Sequence, residues 1–265
     1  MSKKSGQARV PKPKEWDHLY QEIEKHRHPE KNKAIMQISQ KLGLRVQEIA
    51  LLELKEVCKL VGSPGGSTRT FKLFEIMSLP ASYTKGSNAV QRSTSKYNRR
   101  RVSFKVEEFD QILNQVSKLA KAGAEINPSD FYPVIAKHKG LARDLPLINI
   151  ALRQSLIRYI DLRLAKDPLI KPSDPLFITQ KGGNYSPNTL QEHMSLMLRD
   201  WAGIEKATSH SGRRSLITDV IHNQKKSLKV AQKIAGHMTP STTVIYEQPP
   251  EEEISNALVY IGEKI

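Results

Sequence analysis

Apolar residues in this chain recur mostly at helical spacing, and Gly or Pro separates one run from the next. That pattern restricts the fold to a mainly α architecture with a few short antiparallel strands. Trp16, Leu19, Tyr20 and Ile23 mark a first helix near 15–26. Ala34, Ile35, Ile38 and Leu42 mark a second, which Gly43 interrupts. Ile49, Ala50, Leu52 and Leu54 predict a third helix over 46–60, which places the single cysteine, Cys58, in an apolar run as a buried thiol. Later helices are predicted over 106–122, 149–164, 186–202, 213–222, 228–235 and 239–246, with a terminal one over 251–261. Ser186 and Pro187 read as an N-cap and first-turn proline. Residues 131–135 and 144–147 read as the two strands of a hairpin around a basic loop. Leu176, Phe177 and Ile178 read as a further strand.

A net charge of +15 favours a polyanionic partner, because neutralising phosphates releases counterions. A solvated basic surface would account for charge alone. One cysteine leaves no internal disulfide and no cysteine-based zinc site, which suits a reducing compartment. No carboxylate or histidine cluster has metal-ligand spacing, so neither a metal nor a cofactor is expected. No apolar run approaches the ~20 residues that span a bilayer, and the basic N-terminus has no apolar signal region, so no membrane partner is expected.

The chemistry concentrates in Ser209-His210-Ser211-Gly212-Arg213-Arg214, then Ala235-Gly236-His237, then Tyr246. His210 and Arg213 are spaced to share a face at a helix start and hold one phosphate between them. A phenol becomes a useful nucleophile when cations stabilise the charge developing on phosphorus. Taken singly, each residue has a plainer reading. His210 would cap a helix, His237 and Tyr246 would fill a core, and Arg45 would be a solvated arginine.

Together these motifs resemble the tyrosine recombinase, or phage integrase, family. The stretch Leu42-Gly43-Leu44-Arg45-Val46-Gln47-Glu48 is similar to the family's first arginine motif. Lys137-His138-Lys139, followed by Arg143-Asp144-Leu145-Pro146-Leu147, is similar to its hairpin lysine and the strand after it. The resemblance covers about residues 14–248 and implies the fold of that family's catalytic domain. It implies Arg45 and Arg213 as clamps on the scissile phosphate and His210 and His237 as hydrogen-bond donors or proton carriers. It implies Lys137 as general acid and Tyr246 as nucleophile, without metal or ATP. Lys139 and Lys85 are the alternatives to Lys137. Arg214 is read as a supporting residue, and Arg99, Arg100, Arg101 and Lys139 as contacts to the DNA backbone.

The expected organisation is a flexible basic tail over 1–13 and a catalytic domain over 14–265, with an insertion at about 60–130. Double-stranded DNA is the expected partner, bound by a homotetramer that the 251–261 helix would link. The expected location is the cytoplasm, at the nucleoid. Relatives carry a helical core-binding domain ahead of the catalytic domain, where this chain has only its tail. An accessory DNA-bending or clamp protein, or the basic part of the insertion, is therefore expected to supply the missing grip. A non-catalytic DNA-binding regulator and a type IB topoisomerase-like strand transferase are the alternative functions. Deleting residues 82–101 is expected to weaken DNA binding and flatten its dependence on salt, measured by titration at several ionic strengths. An unchanged salt slope would remove the insertion from the DNA interface.

Overall fold

Helix α2 (Pro29–Leu42) is enclosed around most of its circumference, burying the polar Asn32, Gln37 and Ser39 along with its apolar residues. Ala34, Ile35, Met36 and Ile38 are fully buried. Helices α6 (Ile150–Lys166) and α8 (Ser211–Thr218) pack along it. Helix α1 (Pro13–Glu24) buries Trp16, Leu19 and Ile23 on one face, and the Glu15 carboxylate accepts from the Lys12 backbone N–H at 2.7 Å at its start. The computed structural model describes residues 8–65, 69–83, 106–126 and 142–246, with Leu258. Residues 8–12, read above as the end of the tail, are held in place. Arg9 donates to Glu15 Oε1 at 2.6 Å, and its backbone N–H reaches the Lys206 carbonyl at 3.4 Å.

The helix expected over 46–60 divides into α3 (Val46–Leu51), α4 (Leu54–Val57) and strand β1 (Cys58–Val61). The break has a tertiary cause. The Leu52 carbonyl accepts from Leu176 N–H at 2.7 Å, and Leu54 N–H donates to Asp174 at 3.0 Å, so the 172–176 loop takes the backbone groups a continuous helix would use. Cys58 is buried as expected, but in a strand, and burial pushes its thiol up to about 11. Leu176 to Ile178, expected as a strand, forms only an isolated bridge from Ile178 to Asn184 around a tight turn.

Strand β1 pairs antiparallel with β2 (Thr70–Leu73). Strand β3 (Ile76–Leu79) pairs antiparallel with β4 (Arg143–Pro146), Met77 opposite Leu145. The β3 partner of β4 was not foreseen. The partner that was foreseen, residues 131–135, lies outside the described residues. Contacts group residues 90–138 apart from the rest of the chain. Within that unit, α5 (Val106–Lys121) is the amphipathic helix its spacing predicts.

Asn149 caps α6 by accepting from Leu152 N–H at 3.0 Å, and Ser186 caps α7 (Pro187–Ser195) by accepting from Thr189 N–H at 3.1 Å. Helix α7 continues as a π-helical turn over Leu196–Trp201, and α8 does the same over Asp219–Asn223. Two short helices follow, α9 (Leu228–Ala235) and α10 (Pro240–Val244). A small second core of Ile217, Val220, Ala231 and Ala235 joins α9 to α8 and its π-helical turn, with Tyr246 packed against it.

Helix α8 meets α2 almost backbone to backbone. A Cβ added at Gly212 would lie 2.5 Å from Ser39 Oγ and 3.0 Å from the Gln40 backbone nitrogen. Gly212→Ala therefore overpacks a closed contact and is expected to cost about 1–3 kcal/mol, lowering Tm by several degrees in thermal unfolding. An unchanged Tm would mean that the two helices separate freely at this point.

Candidate active site

Gly43 ends α2 in the left-handed region (φ 63°), where a side chain would be strained and would also press on Leu216. The reversal leaves Arg45 in extended backbone at the N-cap of α3. Glu48 lies one turn on and folds back. Its carboxylate accepts from the Arg45 backbone N–H at 2.8 Å and from Arg45 Nη1 at 3.0 Å. Glu48 is fully buried. A buried carboxylate needs ionic partners, and a second guanidinium completes the set. Arg143, the first residue of β4, donates from Nη2 to Glu48 Oε2 at 2.7 Å and from Nη1 to the Ile234 carbonyl at 2.7 Å.

Arg213 on α8 is 3% exposed. It donates to the carbonyls of Gly43 and Ala235, each at a helix C-terminus. Arg45 Nη2 reaches the neighbouring Gly236 carbonyl at 3.4 Å. The carbonyls left over at a helix end carry partial negative charge, so the ends of α2 and α9 favour cations here. Burial, with Arg45 and Arg143 close by, brings Arg213 down to about 10, while Glu48 and Tyr246 act in the opposite sense. It remains a cation at neutral pH.

Gly236 ends α9 in the left-handed region (φ 61°) and delivers His237 to the same place. His237 is buried, and its Nδ1 shares a 2.9 Å hydrogen bond with Thr243 Oγ1. Burial lowers its pKa to about 4, reinforced by Arg213, Arg45 and Arg143, so the imidazole is neutral at pH 7. The half-buried Tyr246 ring stacks on it with centroids 5.7 Å apart. The Arg214 guanidinium lies 6.0 Å from the centre of the Tyr246 ring on its face. The chain at Tyr246 is held by its N–H donating to Thr243 O at 2.9 Å and by a 3.3 Å contact of its carbonyl with His222 Nε2.

The structure thus brings Arg45, Arg213, His237 and Tyr246 together from four separate stretches of chain. His210 is exposed at the N-cap of α8, whereas Arg213 is buried in the first turn, so the two occupy different environments on that helix. Lys137, Lys139, Lys85, Arg99, Arg100 and Arg101 lie outside the described residues. Sequence reasoning missed the parts played by Arg143, Thr243 and His222. Arg143 carried a signal: it shares the inward face of β4 with Leu145, and a charge on the buried register of a strand demands a partner. Among the described residues no group of three His, Cys, Asp or Glu side chains is placed to hold a metal. Two buried or part-buried guanidiniums beside a neutral imidazole and a phenol form a setting for an oxyanion such as a phosphodiester.

The histidine shift has a consequence for stability. The unfolded chain protonates His237 near 6.5, the folded one only near 4, so protons favour unfolding in between. Stability is therefore lost as pH falls from about 6.5 to 4. His193, also held near 4 by burial, adds to the same loss. Denaturant titrations across this range should show a smaller loss in His237→Gln than in the parent. Identical pH slopes would contradict a buried neutral His237.

The comparisons with known proteins bear on this arrangement. Residues 132–253 match the phage integrase family. The tyrosine recombinase XerC of Methylobacterium sp. (strain 4-46) is 34% identical over 147 residues, 55% of this chain and 43% of that protein. The chain thus spans less than half the length of this curated relative. The crystal structure of XerA recombinase superposes with a TM-score of 0.58 at 16% identity, covering 96% of this chain and 65% of that one. A Tn1549 transposon integrase solved with transposon right end DNA gives 0.53 at 14% identity, covering 98% and 68%. The fold is that of the tyrosine recombinase catalytic domain, and residues 132–253 carry the likeness to the phage integrase family.

Proposed function

We propose that this chain is a site-specific DNA recombinase that cuts and rejoins strands through Tyr246. The observation that carries the reading is the stacking of Tyr246 on His237 beside the Arg45–Arg213 pair. A phenol there has cations near enough to stabilise a pentavalent phosphorane. Tyr246 passes its proton to His210 or His237 as its Oη attacks the scissile phosphorus, the bond to the 5′-oxygen breaks, and a 3′-phosphotyrosyl link forms. The departing 5′-oxygen takes a proton from Lys137, or from Lys139 or Lys85 in its place. In the second step the 5′-hydroxyl of another strand attacks phosphorus and gives its proton to the same lysine, while the bond to Tyr246 breaks and the phenol recovers its proton from the histidine. Each step replaces one phosphodiester bond by another, so no ATP is consumed.

Arg45 and Arg213 hold the non-bridging oxygens, with the neutral His237, and with His210, as hydrogen-bond donors beside them. Both arginines already spend part of their donor set on protein carbonyls, which locks their direction before substrate arrives. Arg214 supports the tyrosine ring, and Arg99, Arg100, Arg101 and Lys139 contact the DNA backbone. A homotetramer on two duplexes, linked by residues 251–261 and assisted by a bending or clamp protein, fits the expected chemistry of paired strand exchange. The work is done at the nucleoid in the cytoplasm.

The test uses nicked suicide duplexes drawn from the DNA flanking the coding sequence, with products run on a denaturing gel. A covalent protein–DNA band is expected, absent in Tyr246→Phe and weakened roughly 10²–10³-fold in Arg213→Lys. Tight binding without any covalent band would favour a DNA-binding regulator instead. Relaxation of supercoiled plasmid without exchange between two duplexes would favour a topoisomerase-like strand transferase.

A further inference from the structure

We infer that Arg143 is a positioning residue for this chemistry, aiming Arg45 through Glu48 and seating the turn that carries His237; the inference rests on the strand-transfer reading above. Its guanidinium spans two acceptors on different elements, Glu48 Oε2 on α3 and the Ile234 carbonyl on α9, each at 2.7 Å. The other oxygen of the same carboxylate holds Arg45 Nη1 at 3.0 Å. One carboxylate thus sets two guanidiniums against each other, and moving one moves the other.

The second connection is steric. Gly236 lies directly on the Arg143 side chain, where a Cβ would stand 2.5 Å from Arg143 Cδ and 2.7 Å from its Nε. Gly236 is followed at once by His237, and its carbonyl accepts from Arg45. Arg143 therefore underlies the joint at which the first arginine, the end of α9 and the histidine meet. It is 7% exposed, with both Nη atoms committed to protein acceptors, so it acts through its neighbours rather than on the phosphate. Its charge also helps keep His237 neutral. Lysine cannot replace it, because a single ammonium on a flexible stem does not span two fixed acceptors in one plane.

The experiment compares the parent with Arg143→Lys, Arg143→Gln and Gly236→Ala. It measures covalent adduct formation on the suicide duplex, affinity for the same duplex, thermal melting, and the NMR titration of the His237 imidazole. Positioning predicts parental affinity with adduct formation slowed roughly 100-fold in all three variants. It also predicts a His237 midpoint raised in Arg143→Gln, where the cation is lost, and changed less in Arg143→Lys. A merely structural role predicts a loss of rate no larger than the loss of folded protein, with no shift in His237. That pattern overturns the inference, as does parental cleavage in either Arg143 variant. If Arg143→Gln does not fold, the charge-retaining Arg143→Lys decides by its rate. If the parent itself forms no adduct, the strand-transfer reading fails, and the His237 titration alone decides whether Arg143 governs that turn.

Discussion

A carboxylate with no exposure to solvent lies between two guanidiniums in this molecule. Glu48 accepts from Arg45 on one side and Arg143 on the other, and also caps the start of α3 through the Arg45 N–H. Burying that charge costs several kcal/mol unless good geometry offsets it. The geometry is supplied by a helix start, a strand start and the end of α9, which must all be present together. Arg45 is held at an angle it would not keep as a free surface side chain, and β4 is fixed to α9 by the same group. The site is thus a junction of elements before it is a set of reactive groups.

The helix ends complete the electrostatics. Arg213 would be expensive to bury alone, yet it sits on carbonyls at the C-termini of α2 and α9, where residual negative charge meets it. Both ends are made by left-handed glycines, Gly43 and Gly236, which turn the chain sharply enough to leave those carbonyls pointing at the arginine. Burial first, and then the same cations, withhold a proton from His237. Burial among cations thus leaves the imidazole neutral beside the two arginines.

Rigidity reaches the site through packing. Helix α2 is enclosed by α6 and α8, and the absence of a side chain at Gly212 lets α8 close onto the α2 backbone. Arg213 is the next residue, so that close approach sets where its guanidinium starts. Tyr246 packs against the small core between α8 and α9. Tyr246 belongs to this satellite cluster and touches the main site chiefly through His237. Tyr246 therefore sits on a separately packed piece of the molecule.

Much of this was legible along the chain. Helical spacing of apolar residues located α1, α2 and α5 to α10 to within a few residues, because those helices are decided by local periodicity and caps such as Asn149 and Ser186. The order of Arg45, His210, Arg213, His237 and Tyr246 pointed to one chemistry before any geometry was known. What escaped was decided at a distance. The run over 46–60 has helical spacing, but backbone groups of the 172–176 loop claim Leu52 and Leu54 and turn its end into a strand. Strand β4 takes β3 as a partner from far back in the chain, a pairing that alternation within either strand does not encode. Sequence by itself put forward Arg45, His210, Arg213, His237 and Tyr246 as one group, since that rests on side-chain chemistry and short spacings. Only the tertiary structure decided that Arg143 joins them and that His237 is neutral, because both follow from burial among groups that are remote in the chain.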